Sequence, residues 1–170
     1  MVLFRPRWDT LRNPRTEQVM ERLVLETPDW VNVVALTDSR KIVCVRQYRF
    51  GTGGITLEIP GGVISPRESH EDAARRELRE ETGYTAQRWT YLGCVEPNPA
   101  FLDNVCHHWL AEGARKTHDL ELDSGEDIAV LELELDSVRA RVASGEIRHS
   151  LVVTALARVL DLRNGAPEVR

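Results

Sequence analysis

Three glutamates in one short stretch, Glu77, Glu80 and Glu81, have the spacing of carboxylates that act together. On an α-helix these positions fall within an arc of about 100° on one face. Carboxylates about 6 Å apart repel by about 0.7 kcal/mol in water, and by about 3 kcal/mol at an effective dielectric constant of 20. On a partly buried helix face, this repulsion is unfavourable unless a cation binds between the carboxylates. Carboxylate oxygens are ligands that suit Mg²⁺ or Mn²⁺. A solvated acidic helix face is the alternative, and for the triplet alone it is the commoner explanation.

The segment that carries the triplet is predicted to be a helix over residues 69–82. Ser69 with Asp72 three residues later resembles a capping box, with Asp where Glu or Gln is usual. Glu71 and Asp72 suit the positive end of the helix dipole, and Gly83 is a natural residue to end the helix. This is the strongest helical signal in the chain.

The segments around this helix are mostly strand-like. The first thirty residues leave two alternatives open, because residues 19–24 could form a helical stripe whereas 23–25 reads as a strand. Mostly strands with one central helix and two C-terminal helices predict an α+β fold, an α/β/α sandwich. The predicted strands are 31–36 and 42–45 (a hairpin), 55–59, 89–95, 105–110 and 128–133; the predicted later helices run from Asp136 or Ser137 to about 144 and over 150–160.

Composition narrows the class of protein. The 170 residues carry a formal net charge of −5, which does not favour a protein that binds nucleic acid through its phosphates. Cys44, Cys94 and Cys106 are odd in number, lack metal-ligand spacing and are expected to be reduced thiols. The sequence shows no signal-peptide pattern and no apolar run of bilayer-spanning length. We therefore expect a soluble cytoplasmic protein without a nucleic-acid or membrane partner.

The residues around the triplet make a longer pattern, in which Gly62, Glu68, Arg76, Glu77, Leu78, Glu80, Glu81 and Gly83 stand at the spacing G-x5-E-x7-R-E-U-x-E-E-x-G-U, where U is bulky and apolar. The pattern closely resembles the Nudix box. Tyr84 at its last position is the one departure, since an aliphatic residue is commoner there. Residues 57–62 and 144–147 also resemble members that act on nucleoside-diphosphate sugars, and the likeness covers roughly residues 30–160. It implies the Nudix fold, with a mixed β-sheet and the box helix at its centre.

The resemblance also implies a metal site. Glu77 and Glu81 would be the principal ligands, Glu80 a further ligand or a holder of metal-bound water, and the carbonyl of Gly61 a ligand from the preceding loop. Arg76 would orient these carboxylates through an ion pair, supported by Glu68. Mg²⁺ is the expected ion, with Mn²⁺ possible in its place, and it would let an acidic protein act on anions.

The general base is expected on a loop well after the box, just before a late strand. Glu126 is the preferred residue there. Asp127, Asp123 and a box glutamate are alternatives, and the same stretch can also be read as an acidic surface turn. Such a base must reach the attacking water directly or through one bridging water.

Residues for substrate binding are indicated more weakly. Pro97 and Pro99 lie 14 and 16 residues beyond Gly83, and a proline at about this distance is typical of members that act on ADP-ribose. Arg46 and Arg49 are candidates for holding the terminal phosphate or sugar, or belong to an ordinary charged strand face. Glu58 could contact a ribose or metal, or form a cross-strand salt bridge.

The resemblance thus implies an enzyme that hydrolyses the diphosphate of nucleoside-diphosphate sugars such as ADP-ribose, giving a nucleoside monophosphate and a sugar phosphate. Two alternatives stay open: a hydrolase of nucleoside triphosphates or dinucleotide polyphosphates, and a sensing module that binds nucleotide sugars without cleaving them. Residues 30–170 are expected to form the Nudix domain. Residues 1–29 are expected to form an N-terminal segment through which the protein dimerises.

Overall fold

A mixed β-sheet with helices on both faces organises the chain. The computed structural model describes residues 4–122, 125 and 127–163. Within these described residues, eight strands form the main sheet and two further strands form a separate hairpin. The strands are β1 Arg5–Arg12, β2 Val19–Glu26, β3 Trp30–Thr37, β4 Lys41–Arg49, β5 Gly54–Glu58, β6 Gly61–Val63, β7 Tyr84–Thr85, β8 Arg88–Val95, β9 Cys106–Lys116 and β10 Ile128–Glu134; the helices are α1 His70–Thr82, α2 Leu135–Ala143 and α3 Ser150–Ala157.

The order β10-β4-β3-β9-β7 forms the body of the sheet, with β5 on β4, β6 on β3 and β8 on β9. β3 and β9 pair in parallel and the other pairs are antiparallel, so the predicted mixed sheet is confirmed. Val33 and Val34 point to opposite faces of β3 and are both fully buried. Both faces of the sheet are therefore covered.

Two clusters of apolar side chains hold the three layers together. Ala74 and Leu78 of α1 pack with Val33 on one face of the sheet. Val138 of α2 and Leu156 of α3 pack on the other face. This arrangement confirms the predicted α/β/α sandwich, with α1 on one face of the sheet and α2 and α3 on the other.

The ends of α1 agree with the sequence signals, with one difference. The Ser69 hydroxyl accepts the Asp72 N–H at 3.1 Å, as in a capping box. The Asp72 carboxylate accepts the Ser69 hydroxyl at 2.7 Å, where a longer Glu would reach the Ser69 backbone amide. Gly83 ends the helix at φ 75°, and a Cβ there would lie 2.2 Å from the His118 carbonyl oxygen. This position therefore requires glycine.

The later helices differ slightly from their predicted bounds. α2 begins at Leu135, directly after β10, and its N-cap residue Glu134 makes no side-chain capping bond. The predicted caps Asp136 and Ser137 are therefore wrong, since the strand runs straight into the helix and places both residues in the first turn. α3 ends at Ala157 instead of 160. Within the described ranges the longest helix has 13 residues, and none has the length and apolarity needed to cross a bilayer.

The N-terminal residues form strands, which decides between the two alternatives for 19–24. β1 and β2 pair antiparallel over their whole length, from Arg5 with Glu26 to Arg12 with Val19. The strand β1 was not predicted, because most of its side chains are exposed and its sequence lacks an apolar periodicity.

Candidate active site

α1 brings its acidic face against the short strand β6. The buried residues Ala74 and Leu78 fix one side of the helix on the sheet. Glu81 then lies beside β6, where one of its carboxylate oxygens accepts the Gly61 N–H at 3.0 Å. Glu81 is only 4% exposed, so its carboxylate is almost completely buried where α1 meets β6.

The two glycines of β6 allow this close approach. A Cβ on Gly62 would lie 2.4 Å from one carboxylate oxygen of Glu77. A Cβ on Gly61 would lie 2.2 Å from the Val31 carbonyl oxygen and 2.5 Å from the Asn32 side-chain nitrogen. All three distances are well below van der Waals contact. The Glu77 carboxylate therefore lies directly over the β6 backbone, in space that a side chain at 62 would occupy.

Arg76 ties the carboxylates together. Its guanidinium binds both oxygens of Glu68, at 2.8 and 2.9 Å, in a bidentate pair. It also donates to Glu77 at 2.7 Å, to Glu80 at 3.1 Å and to the Val63 carbonyl at 3.0 Å. Arg76 holds the pKa of the Glu68 carboxyl below its usual range, and Glu68 in turn raises the pKa of Arg76. Arg76, itself held by Glu68, is thus placed where it can orient the carboxylates of Glu77 and Glu80.

The acidic cluster has the chemistry of a divalent-cation site. Three of its carboxylates, from Glu68, Glu77 and Glu80, contact the guanidinium groups of Arg76 and Arg79, and the fourth, from Glu81, accepts the Gly61 N–H. Among the described residues no three His, Cys, Asp or Glu groups already converge on one point. Mg²⁺ is commonly held by one or two carboxylates together with substrate phosphates and water. The donor set therefore fits an ion whose coordination is completed by the substrate.

Glu58 and Arg49, two predicted substrate contacts, bind each other. Arg49 donates to both oxygens of Glu58, at 2.9 and 2.8 Å, across the β4–β5 hairpin. Thr56 Oγ1 donates to Glu58 at 2.6 Å, and His149 Nδ1 lies 3.1 Å from it. Glu58 is 2% exposed, and although burial raises its pKa, Arg49, His149 and Thr56 together hold the pKa below its usual range. Glu58 therefore forms the expected cross-strand salt bridge with Arg49, while its contact with a ribose or metal stays a prediction.

Replacing Arg49 by alanine is expected to lower the free energy of unfolding by about 1–3 kcal/mol at pH 7, because the buried Glu58 carboxylate loses two hydrogen bonds. A depressed pKa stabilises the fold above the unfolded-state pKa of about 4.3, and this contribution is lost as the pH falls through the lower folded-state value. The difference between the two proteins should therefore shrink below about pH 4. Urea unfolding at pH 7 and in acid measures both effects.

The control for that measurement is Arg46→Ala. Arg46 pairs with Glu146 at 3.4 Å, and both side chains are more than 40% exposed. Exposed pairs contribute about 0–1 kcal/mol, so this variant should unfold almost as the wild type does. Equal destabilisation by the two variants would contradict a structural role for the Arg49–Glu58 pair.

Tyr84, the departure from the motif, has a specific partner. Its side chain is buried at the end of α1, and its hydroxyl donates to Glu132 of β10 at 2.6 Å. Burial and the neighbouring carboxylate raise the pKa of Tyr84 to about 12. A tyrosine is accommodated here because Glu132 satisfies its hydroxyl, a contact across 48 residues that the sequence did not signal.

The other predicted residues lie apart from the acidic cluster or cannot be placed. Pro97 and Pro99 lie between β8 and β9, at the end of the sheet where β6 pairs with the start of β3. Trp30 joins the two regions, since it pairs with Val63 of β6 on one side and Cys106 of β9 on the other. The predicted base Glu126 and its alternative Asp123 fall outside the described residues.

Comparison with known proteins places this site in a family. A family model described as the NUDIX domain matches residues 27–151. The ADP-ribose pyrophosphatase of Bacillus subtilis (strain 168) is 37% identical over 128 residues, which cover 75% of this chain and 69% of that protein. The ADP-ribose pyrophosphatase of Mycobacterium tuberculosis is 31% identical over 171 residues, which cover 99% and 82% of the two chains.

A solved structure of an ADP compounds hydrolase shares the fold, with a TM-score of 0.72 and 24% identity over 97% of both chains. The fold and the acidic helix face define a hydrolase of the kind that uses bound cations on phosphate anhydrides. The chain belongs to the Nudix family of pyrophosphohydrolases, in the branch of the ADP-ribose pyrophosphatases. The family generally uses a divalent metal ion, and both the predicted fold and the predicted family are confirmed.

Proposed function

We propose that this chain hydrolyses the diphosphate of nucleoside-diphosphate sugars such as ADP-ribose, with Mg²⁺ or Mn²⁺ as the ion. The observation that carries the proposal is the acidic face of α1, where Glu81 binds the Gly61 backbone and Glu77 lies over Gly62. Similarity to the ADP-ribose pyrophosphatases of B. subtilis and M. tuberculosis supports nucleoside-diphosphate sugars as the substrate class.

In the proposed reaction the oxygen of a water molecule bonds to one phosphorus, and the bond from that phosphorus to the bridging oxygen breaks. The products are a nucleoside monophosphate and a sugar phosphate, and the general base takes the proton of the water. Glu77, Glu80, Glu81 and the carbonyl of Gly61 are proposed to hold the ion, which when bound neutralises phosphoryl charge and lowers the pKa of water. Arg76 acts on the reaction by holding Glu77 and Glu80 in place.

The sugar and base are proposed to lie at the end of the sheet that carries residues 97–105, which we call the proline segment. Pro99 is the proposed contact there, near the start of β9. Arg46 is the more available of the two arginines for a phosphate or sugar, since its ion pair with the exposed carboxylate of Glu146 is long, at 3.4 Å. Arg49 and Glu58 are proposed to contact the substrate at the edge of this region as a hydrogen-bonded pair.

The experiment that tests the function is a substrate panel of ADP-ribose, GDP-mannose, UDP-glucose, diadenosine polyphosphates and nucleoside triphosphates, each with Mg²⁺, Mn²⁺ or EDTA. Metal-dependent cleavage confined to the nucleotide sugars is expected. Preference for triphosphates or dinucleotides would favour the first alternative. Binding of nucleotide sugars without cleavage would favour a sensing module. The retention of Glu77, Glu80 and Glu81 argues against that outcome.

Glu126→Gln is expected to lower kcat by about 10²–10⁴, because glutamine cannot accept the proton of the attacking water. Affinity for Mg²⁺ should change little, since the proposed ligands lie on α1 and β6. Steady-state kinetics with a metal titration measure both quantities, and Asp127→Asn, at the neighbouring alternative base, is the comparison variant and should keep a near-normal rate. A normal rate in Glu126→Gln would move the base to another residue.

We also propose that the chain forms a homodimer in the cytoplasm, with residues 1–29 as the dimerising segment and 30–170 as the catalytic domain. The β1–β2 hairpin supports this, because it exposes Trp8 by 68%, Val19 by 55% and Leu11 by 50%. The three cysteines are free, as predicted, which agrees with a reducing compartment. Light scattering at micromolar concentration tests the dimer, and a monomeric mass would exclude it.

A further inference from the structure

Residues 25–30, which we call the connecting segment, join the N-terminal hairpin to β3 and run beside residues 101–105. The Leu25 N–H donates to the Phe101 carbonyl at 2.7 Å, and the Trp30 N–H donates to the Val105 carbonyl at 2.9 Å. A parallel bridge also pairs Leu25 with Leu102. The end of the proline segment is therefore bonded along the connecting segment and not only at one point.

The other edge of the connecting segment is hydrogen-bonded to β6, the strand that belongs to the candidate metal site. The Ile64 N–H donates to the Asp29 carbonyl at 2.9 Å, and Trp30 pairs with Val63 of β6. The glycines of the candidate metal site lie in the same three-residue strand. One stretch of backbone thus holds the proposed metal site on one side and the proposed sugar and base region on the other.

Two aspartates add side-chain bonds between the connecting segment and the proline segment. Asp29 accepts the Val105 N–H at 2.8 Å. Asp103 accepts the Thr27 N–H at 3.3 Å with one oxygen and lies 3.4 Å from the Arg7 guanidinium with the other. Arg7 lies on β1, so Asp103 joins the proline segment to the hairpin itself as well as to the connecting segment.

The proline segment is short and internally fixed. The Leu102 N–H donates to the Asn98 carbonyl at 2.9 Å, and the Ala100 N–H donates to the Asn98 side chain at 3.3 Å. Pro99 lies inside this turn. A turn closed by its own hydrogen bonds moves largely as a unit, so the bonds that hold residues 101–105, those of Asp103 among them, set where Pro99 is presented.

We propose that Asp103 is a positioning residue, through which the N-terminal hairpin sets the place of the Pro99 turn and hence the affinity for the nucleotide sugar. The inference rests on the proposed function for the identity of the substrate. Asp103 lies among residues that bind the hairpin and not among those of the α1 carboxylate face, so the hydrolytic step itself is left to the box glutamates.

The test compares Asp103→Ala, Asp103→Asn and Arg12→Ala. Arg12→Ala is the control, because it removes a 3.1 Å ion pair with Glu17 at the far end of the same hairpin. Asp103→Ala is expected to raise KM for ADP-ribose about 3–10-fold while kcat stays within about twofold. Asp103→Asn keeps an oxygen for the Thr27 N–H and should lie between Asp103→Ala and the wild type. Arg12→Ala should match the wild type in both constants.

Hydrogen exchange without substrate gives a second readout that does not depend on activity. Amides in residues 98–105 should exchange faster in Asp103→Ala, by about tenfold, and at the wild-type rate in Arg12→Ala. Unchanged exchange, or a loss of kcat without a rise in KM, would overturn the proposal. If the wild type cleaves no nucleotide sugar, the proposed function fails, and the exchange experiment still decides whether Asp103 holds the turn.

Discussion

Glu81→Gln is expected to lower kcat by about 10²–10³ while the fold stays intact. Removing one electrostatic stabiliser of a developing charge typically has this effect. The 3.0 Å bond from the Gly61 N–H to Glu81 can still form, because the glutamine oxygen is also an acceptor. Loss of one negative charge relieves repulsion with Glu77 and Glu80, so the metal-free variant should be as stable as the wild type or more stable. Kinetics at saturating Mg²⁺ and thermal unfolding with and without Mg²⁺ measure these effects.

Glu71→Gln is the matched control for this variant. It makes the same change on the same helix, but Glu71 lies in the first turn and pairs with Arg75 at 2.7 Å, with both side chains 45% exposed. Its kcat should equal that of the wild type, and Mg²⁺ should raise its melting temperature normally. Near-normal turnover in Glu81→Gln would refute the assignment of Glu81 to the metal site.

Gly62→Ala is expected to lower kcat by about 100-fold with little loss of stability. The added Cβ would lie 2.4–2.7 Å from the carboxylate atoms of Glu77, so this side chain must move. The displaced atoms are the end of a flexible side chain, which keeps the cost in folding free energy below about 1 kcal/mol. A misplacement of about 1 Å in a catalytic group can cost about 100-fold in rate. The measurements are kcat, the Mg²⁺ concentration at half-maximal rate, and the unfolding free energy.

Gly54→Ala is the control, since a Cβ at position 54 of β5 meets no atom within 4 Å. It makes the same chemical change on a strand of the same sheet and should leave both the rate and the metal requirement unchanged. A Gly62→Ala enzyme with normal activity would show that the position of Glu77 over β6 does not matter for catalysis. A variant that fails to fold would instead contradict the expected cheap displacement of Glu77.

The box helix was predictable because its signals are local. Ser69, Asp72 and Gly83 mark its ends within one or two turns of the chain, and the structure uses all three. The spacing of the glutamates also fixed which side chains share a face. Local sequence therefore specified this helix and its acidic face, together with most strands of the sheet.

Contacts between distant parts of the chain were not predictable in the same way. His149 joins the Glu58–Arg49 pair from 91 residues away, and no pattern in the sequence linked it to β5. β1 was missed because an exposed two-stranded hairpin has no buried face to give its sequence an alternating pattern. Its anchoring through Asp103 depends on where β8 and β9 turn, which is set by the tertiary fold.

The parallel pairing of β3 with β9 also determines when the active site can form during synthesis. Trp30 and Cys106 pair side by side although 76 residues separate them in the chain. The box helix is complete as soon as Thr82 has left the ribosome, but Leu78 packs in a cluster that includes Trp109 and Ala111 of β9. Pairings of such long range form late and slowly. A nascent chain therefore cannot complete the packing of its acidic helix until β9 is made, so the candidate metal site takes its final form only after Lys116 has been synthesised.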